Sequence, residues 1–384
     1  MISKIDAPRP TIDDWLTRDN RAWGFQHARE IVPSARIRRA AKPRPLSENL
    51  RALDDVPVLS GGVTLEDYLR RSASGFLVLH RGTICYERYL NGLTPHTPHL
   101  LMSVSKSIAA SVTGALIHAG ALSPDDNVCT LLPELRGSAW EGCTVHHLLD
   151  MRGGVRFDES DDDPNSDLFV YEQIFQWRPL RQDLPSDIRQ YMAGLQAERA
   201  HGGPFLYQSI LTDMLAWVLE AATGRRLSDL ISELLWQPMG AEDDAELTVD
   251  RHGNAYADGG ISATLRDMAR FGELWLEDGV SEGTEVIPKQ WIEDTLWPSW
   301  AVGPPSDYAH DTAKAVGSRY YSQNWWIVDP TRSLYAARGY CGQAVYVDTS
   351  ARLVVVMFSA WRENTPEQEQ EVVDVVRSLA AALT

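Results

Sequence analysis

In this 384-residue chain the segments that read as strands lie toward the two ends, and most of the long helical segments lie between them. Gly75-Phe-Leu-Val-Leu-His80, a turn at Arg81-Gly82, and Thr83 to Tyr89 predict a hairpin. Ala344 to Asp348 and Leu353 to Phe358 predict a second pair of strands. Between them, helices are predicted over Leu100 to Ala119, Val145 to Met151, Ile210 to Thr223, Leu227 to Leu235 and Leu265 to Leu276. Val104, Ile108, Val112 and Leu116 recur every four residues and give the first of these a buried stripe. Gly120 and Gly224 mark two helix ends, and Glu367 to Leu383 predicts an amphipathic closing helix. Strands so far apart in sequence share one sheet if the middle of the chain is an insertion. The predicted class is α+β: an antiparallel sheet flanked by helices, built from residues 1–145 and 262–384, with a mostly helical domain inserted at 146–261.

Other features narrow the chemistry. Residues 1–60 are rich in Pro and Arg with weak periodicity, which predicts an irregular arm whose Trp15, Trp23 and Phe25 need burial. Residues 156–190 predict a long acidic loop, a candidate lid. The chain carries 53 acids against 36 bases, a formal charge of −17, which repels phosphate backbones and argues against a nucleic-acid partner. The opening MISKIDAPRP has no apolar run, and no apolar stretch approaches a membrane span. Cys85, Cys129, Cys143 and Cys341 lie far apart without a CxxC pair, so a cytoplasmic protein with reduced thiols is expected.

The most informative motif is Ser103-Val-Ser-Lys106, at the start of the apolar helix. At i and i+3 the two side chains share one helix face. A serine hydroxyl is a weak nucleophile and needs a base within hydrogen-bond reach; a lysine one turn on serves if its pKa falls. The helix N-terminus offers free N–H groups to a developing oxyanion. The plain structural reading is that Ser103 caps the helix and Lys106 is solvated. Two further clusters weigh against it: Tyr207-Gln208-Ser209, opening the helix at Ile210, and Arg338-Gly-Tyr-Cys-Gly-Gln343, preceding the strand at Ala344.

In order and separation these three elements resemble the motifs of the serine β-lactamases, penicillin-binding proteins and class C-like carboxylesterases: SxxK, then Y-x-N or S-x-N, then K-T-G. Within that superfamily the chain is most similar to the 6-aminohexanoate-dimer hydrolases, the nylon-oligomer enzymes. His99-Leu-Leu-Met-Ser-Val-Ser-Lys-Ser107, Phe205-Leu-Tyr-Gln-Ser209 with Thr212-Asp213 and Leu215-Ala-Trp217, Ala257-Asp-Gly-Gly260 with Arg266-Asp267, Asn324-Trp-Trp326 and Gly342-Gln343 carry the likeness, as does the arm around Trp15 and Val32-Pro-Ser34. The resemblance implies a serine β-lactamase-like fold and a serine hydrolase working through an acyl-enzyme without metal or organic cofactor. Ser103 would be the nucleophile, Lys106 would take its proton, Tyr207 would protonate the leaving group, and the N–H groups of Ser103 and Tyr340 would form the oxyanion hole. It also implies a homodimer, by analogy.

Departures from the family pattern bear on the substrate. Ser209 stands where β-lactamases carry Asn, and K-T-G is missing, with Arg338 the nearest cation. A β-lactam carboxylate would lack its usual partner, so weak β-lactamase activity is expected. Glu172, five residues before Trp177, falls where the nylon enzymes place an acid against the substrate ammonium. Their assisting loop tyrosine is replaced by Asp161, and whether Tyr171 takes over is open. Asp258 replaces a family His or Asn at another substrate-contact position, and Trp326 is a further candidate substrate-binding residue. Six acids fall within Asp158 to Asp167, which keeps this region acidic and suits a small substrate with a cationic amino end. The expected activity is hydrolysis of a linear amide or ester; a short-acyl carboxylesterase and a silent binding protein of the same fold are the alternatives. Asp161-x-Asp163-x-Asn165-Ser166-x5-Glu172 approaches a calcium loop but lacks its glycine. His146, His147 and Asp150 read as part of a structural helix rather than a metal site.

Overall fold

The computed structural model describes residues 9–160, 163–298 and 318–384. Its main sheet runs, in spatial order, Tyr320–Ser322, Trp325–Asp329, Leu334–Gly339, Gln343–Asp348, Leu353–Phe358, Gly75–His80, Thr83–Tyr89 and Ser47–Glu48. The predicted hairpin and the C-terminal strands are joined by the pairing of Leu353–Phe358 with Gly75–His80, from Leu353 opposite His80 to Phe358 opposite Gly75. Neighbouring strands are antiparallel, except that Ser47–Glu48 pairs in parallel with Thr83–Tyr89.

All six residues of Leu353–Phe358 are buried, because helices cover both faces. On one face the helix Leu265–Leu276 lies so close that a Cβ at Gly272 would stand 2.4 Å from Val354 Cγ1. On the other, the Tyr68 hydroxyl of Leu65–Ser72 reaches Met357 Sδ at 3.8 Å. Glu369 of the closing helix Pro366–Leu383 there interacts with Arg338.

A second sheet has the order Ser34–Ile37, Ala245–Thr248, Ile261–Ala263, His99–Leu100. It places the chain just before Ser103 beside the chain just after Asp258: Leu101 N donates to Ile261 O at 2.8 Å, and Ile261 N to Ser105 Oγ at 3.1 Å. Residues 104 to 118 then form the helix Val104–His118, with Val104, Ile108, Val112 and Leu116 all buried, as their spacing predicts.

The middle of the chain is mainly helical: Val145–Leu149, Asp167–Ile174, Ile188–Ala193, Ile210–Thr223 and Leu227–Ile231, the last running on into a wider turn over Ser232–Trp236. The expected loop at 156–190 is therefore partly helical. Ser166 caps the helix Asp167–Ile174 by accepting from Phe169 N at 3.3 Å, a start signal masked in the sequence by the surrounding acids. That helix begins inside the calcium-loop spacing, and Glu172, which would be its last ligand, pairs with Arg178. His147 completes a capping box with Thr144, and His146 pairs with Asp150 at 2.9 Å, so both serve their own helix. Among the described residues no helix is long and apolar enough to cross a membrane.

The N-terminal arm buries Trp15 and Phe25, while Trp23 is half-buried and stacks on His27. Trp15 Nε1 donates to Trp177 O at 2.8 Å, and Arg21 donates to Trp361 O at 3.0 Å. The arm thus ties the middle of the chain to the end of the main sheet.

Candidate active site

Met102 has φ +49°, a left-handed conformation unusual for a residue with a side chain, and it turns the chain sharply into the helix at Ser103. Ser103 occupies the cap position, yet its side chain makes no capping hydrogen bond among the described residues. Its Oγ instead accepts from Lys106 Nζ at 2.9 Å. Lys106 is 1% exposed, so the reading of a capping serine and a solvated lysine fails on both residues. Lys106 Nζ also faces Ser209 Oγ at 3.1 Å, Asp258 O at 3.0 Å and Asp258 Oδ2 at 3.1 Å.

Tyr207 and Ser209 reach this point because Ile210–Thr223 is apolar enough to bury almost whole, leaving the polar residues at its mouth. Tyr207 stacks on Trp326 with centroids 5.6 Å apart, and Lys106 Nζ lies 5.1 Å from the Tyr207 ring centroid. Ser209 N donates to Glu159 Oε1 at 2.6 Å. Behind Asp258 the Tyr171 hydroxyl contacts Asp258 Oδ1 at 2.6 Å and also Asp213 Oδ2.

Burial opposes charge on Lys106, but Asp258, Tyr207 and Glu159 outweigh it and hold its pKa above the usual lysine value. The condition that the lysine's pKa falls is therefore not met, and the main reason is the carboxylate at 258. Burial raises Tyr207 despite the Lys106 charge, and its hydrogen bonds to Ser103 and Lys106 pull the other way. Burial pushes Glu159 up, opposed by Lys106 and Ser209. Burial and then Asp258 raise Asp213 well above the usual range, against the backbone N–H of Ala257.

The third motif approaches through a missing side chain. A Cβ at Gly339 would stand 2.3 Å from Leu101 O and 3.0 Å from Ser103 N. Only glycine lets the end of Leu334–Gly339 touch the start of the Ser103 helix. Alternation along the strand sends the neighbouring Arg338 to the opposite face, where it lies 5.2 Å from the Tyr346 ring and interacts with Glu369. Arg338 thus does not take the place of the K-T-G lysine.

Ser103, Tyr207, Ser209, Asp258 and Tyr340 open into a cleft of about 300 Å³, closed opposite by Glu159, Phe169, Glu172, Trp177, Arg178 and Tyr256. Arg21 and Phe25 of the arm complete the rim. A larger and more open groove of about 740 Å³, lined by Asp158, Asp167 and Asp183, lies outside this cluster. Among the sequence-predicted substrate residues, Glu172 and Trp177 reach the cleft, but Glu172 is already ion-paired with Arg178. Trp177 Nε1 is buried with no acceptor among the described residues. The carboxylate oxygens of Asp258 turn to Lys106 and Tyr171, and Trp326 backs the Tyr207 ring instead of lining the cleft. Asp161 lies outside the described residues.

Glu159, Asp213 and Tyr171 are the site members that sequence reading underused. For Glu159 a signal exists: Val155 and Phe157 are buried while Arg156 and Asp158 are exposed, so strand-like alternation points residue 159 inward. Asp213 carried no such signal, being one acid in a buried helix. Among the described residues no three His, Cys, Asp or Glu side chains are grouped to hold a metal.

Comparison with known proteins gives the family. The family model described as Beta-lactamase matches residues 64–375. The chain belongs to the β-lactamase family. It is 33% identical over 381 residues to 6-aminohexanoate-dimer hydrolase of Paenarthrobacter ureafaciens, covering 98% of this chain and 95% of that one. It is 29% identical over 213 residues to Esterase EstB of Burkholderia gladioli, 53% of this chain and 52% of the esterase. A solved Bacillus anthracis structure, provisionally named 6-aminohexanoate-dimer hydrolase, superposes with a TM-score of 0.88 at 24% identity, over 99% of this chain and 98% of that one. EstCE1, a hydrolase with promiscuous acyltransferase activity, superposes at 0.59 and 15% identity, over 82% of this chain and 95% of its own. The protein is accordingly a serine hydrolase of a family that acts on amides and esters, with the β-lactamase-like fold.

Proposed function

We propose that the protein hydrolyses a small linear amide or ester, with Ser103 as the acylated nucleophile. The observation that carries this reading is the Ser103–Lys106 contact at 2.9 Å inside a buried cluster that includes Tyr207 and opens into a cleft. On this reading Ser103 Oγ attacks the carbonyl carbon as its proton passes to the Lys106 side. The Ser103 and Tyr340 N–H groups hold the oxyanion; the approach of Gly339 to Ser103 N supports that placement. Tyr207, which interacts with both Ser103 and Lys106, returns a proton to the leaving nitrogen or oxygen, and water then releases the acyl group. The insertion 146–261 supplies the Tyr207 side of the cleft and the candidate lid, and the flanking segments supply Ser103 and Tyr340.

The substrate we favour carries a cationic amino end. Glu172 is matched by Arg178, so its ammonium would meet Glu159 across the cleft, or compete with Arg178 for Glu172. A short-acyl carboxylesterase is the second reading, favoured by that same Glu172–Arg178 pair, which leaves less demand for a cation. A cytoplasmic setting is supported by four buried cysteines, none in a disulfide among the described residues, and a homodimer by analogy with the nylon enzymes.

Intact-mass spectrometry after a serine-directed phosphonate tests the nucleophile. One adduct at Ser103 is expected in the wild type and its loss in Lys106→Ala; an unlabelled wild type would sink the proposal. Matched amide and aryl ester substrates, with and without a free amine, separate the two substrate readings. A chromogenic β-lactam should turn over at least ~100-fold more slowly than the preferred substrate, since one lost charge-assisted contact is worth about 3 kcal/mol.

A further inference from the structure

The buried Tyr171 hydroxyl touches two carboxyl groups, Asp258 Oδ1 at 2.6 Å and Asp213 Oδ2. A phenol has one proton and can donate it to one of them only. The other contact needs a proton on the carboxyl side. Asp213 carries it, since Asp258 is held as a carboxylate by Lys106, and the proton sits on Oδ2 because Oδ1 accepts from the backbone N–H of Ala257 at 2.6 Å and of Asp258 at 3.3 Å. Asp258 is the ionised partner, because its Oδ2 faces Lys106 Nζ at 3.1 Å. The order is therefore Asp213 to Tyr171 to the Asp258 carboxylate to the Lys106 ammonium. Burial and the neighbouring charge agree with a neutral Asp213 and a charged Lys106.

An ammonium has no lone pair with which to take a proton from Ser103. Its three N–H protons already face Ser103 Oγ, Ser209 Oγ, Asp258 O and Asp258 Oδ2, and among these described contacts Asp258 Oδ2 is the carboxylate oxygen. We propose that Lys106 and Asp258 act together as the base that deprotonates Ser103, with Tyr171 and Asp213 as positioning residues that hold the Asp258 carboxylate. The inference rests on the reading that Ser103 is acylated. The Ser103 O–H bond breaks and its proton goes to Lys106 Nζ as one Nζ proton passes to Asp258 Oδ2. The Oγ electron pair forms the bond to the carbonyl carbon, whose π pair moves to the oxygen. When the intermediate collapses, the C–N or C–O pair leaves with the departing atom. A proton then reaches that atom through Tyr207, which is refilled from Lys106, and Asp258 returns its proton to Lys106. Burial of both side chains disfavours the separated charges, which lowers the cost of passing through a neutral amine–acid pair. The other ionisable groups facing the pair are Glu159, Tyr207 and Tyr256, with Glu172 and Arg178 across the cleft.

The test is the pH dependence of kcat/KM on an aryl ester without ionisable groups, for wild type, Asp258→Asn and Tyr171→Phe. In the wild type the acid limb reports protonation of the pair as a unit. In Asp258→Asn the amine itself must be neutral, so the limb should move up by more than ~1 pH unit, with about a tenfold or greater loss of kcat at pH 7, recovery toward alkaline pH and little change in KM. Tyr171→Phe removes one donor from Asp258, makes it more basic, and should move the limb up by a smaller step. A limb that stays put in both variants overturns the proposal, since a structural role lowers rates without moving it. An alkaline wild-type limb that moves down in Asp258→Asn also overturns it, because Lys106 would then act alone with Asp258 restraining it. If circular dichroism shows Asp258→Asn unfolded, the Tyr171→Phe profile decides by the same criterion. A wild type that gives no phosphonate adduct at Ser103 removes the underlying reading, whereas a labelled wild type with an unmoved limb removes the shared base alone.

Discussion

Asp213 sits 2% exposed in the first turn of an apolar helix, and its environment favours the protonated form. A carboxyl whose folded pKa is raised contributes stability that is fully present below its unfolded value and is lost as pH rises through its folded value. Asp213→Asn mimics the protonated acid: its amide can donate to Tyr171, and its carbonyl can accept from Ala257 N. The variant should therefore equal the wild type in melting temperature near pH 4 and exceed it at pH 8, with a flatter dependence between, as read by thermal unfolding across that range. A melting temperature that drops equally at both ends would mean that Asp213 is ionised in the fold. At this scale Ser103, Lys106 and Tyr207 were legible because residue type and spacing carry their chemistry. The protonation of Lys106 was not, because it depends on Asp258, 152 residues away in sequence.

Elements place these residues by close approach. The end of the strand Leu334–Gly339 meets the start of the Ser103 helix through a glycine, and Met102 takes a left-handed turn to bring Ser103 there. Gly339→Ala would put a methyl 2.3 Å from Leu101 O and push the strand away from Ser103 N. The expected stability loss is about 1–3 kcal/mol. If Tyr340 N–H is an oxyanion donor, kcat should also fall roughly 100-fold or more, with KM little changed. Urea unfolding and steady-state kinetics on one ester read both effects. The Ile210–Thr223 and Leu265–Leu276 helices matched their sequence boundaries, since long apolar stripes with clear stops are local signals. The helix Asp167–Ile174 was missed because its start is signalled by one serine among acids.

The whole molecule is held together partly by its first residues. Trp15 is fully buried, packs edge-on against Trp177 with centroids 5.3 Å apart, and donates to the Trp177 carbonyl. Because Trp177 lines the cleft, the arm supports the wall of the site as well as the core. Trp15→Ala should lose about 3–5 kcal/mol in urea unfolding and also raise KM, since the Trp177 wall loses its backing. An unchanged KM in a destabilised variant would confine the arm to a structural role. The acidity of the chain is distributed likewise: Glu172 is matched by Arg178 and Asp258 by Lys106, which leaves Glu159 as a distinct acid at the cleft.

By itself the sequence determined the long apolar helices, the two hairpins whose strands share one sheet from both chain ends, and the order of the three motifs that mark the family. These follow from periodicity, turn chemistry and residue spacing, which are local. Tertiary structure alone decided that Asp258 faces Lys106, that Arg338 turns away from Ser103, that Arg178 meets Glu172, and that Tyr171 links two buried carboxyls. Each depends on which face of a strand or helix meets which neighbour across long stretches of chain. In a buried site, such neighbours set where a proton resides.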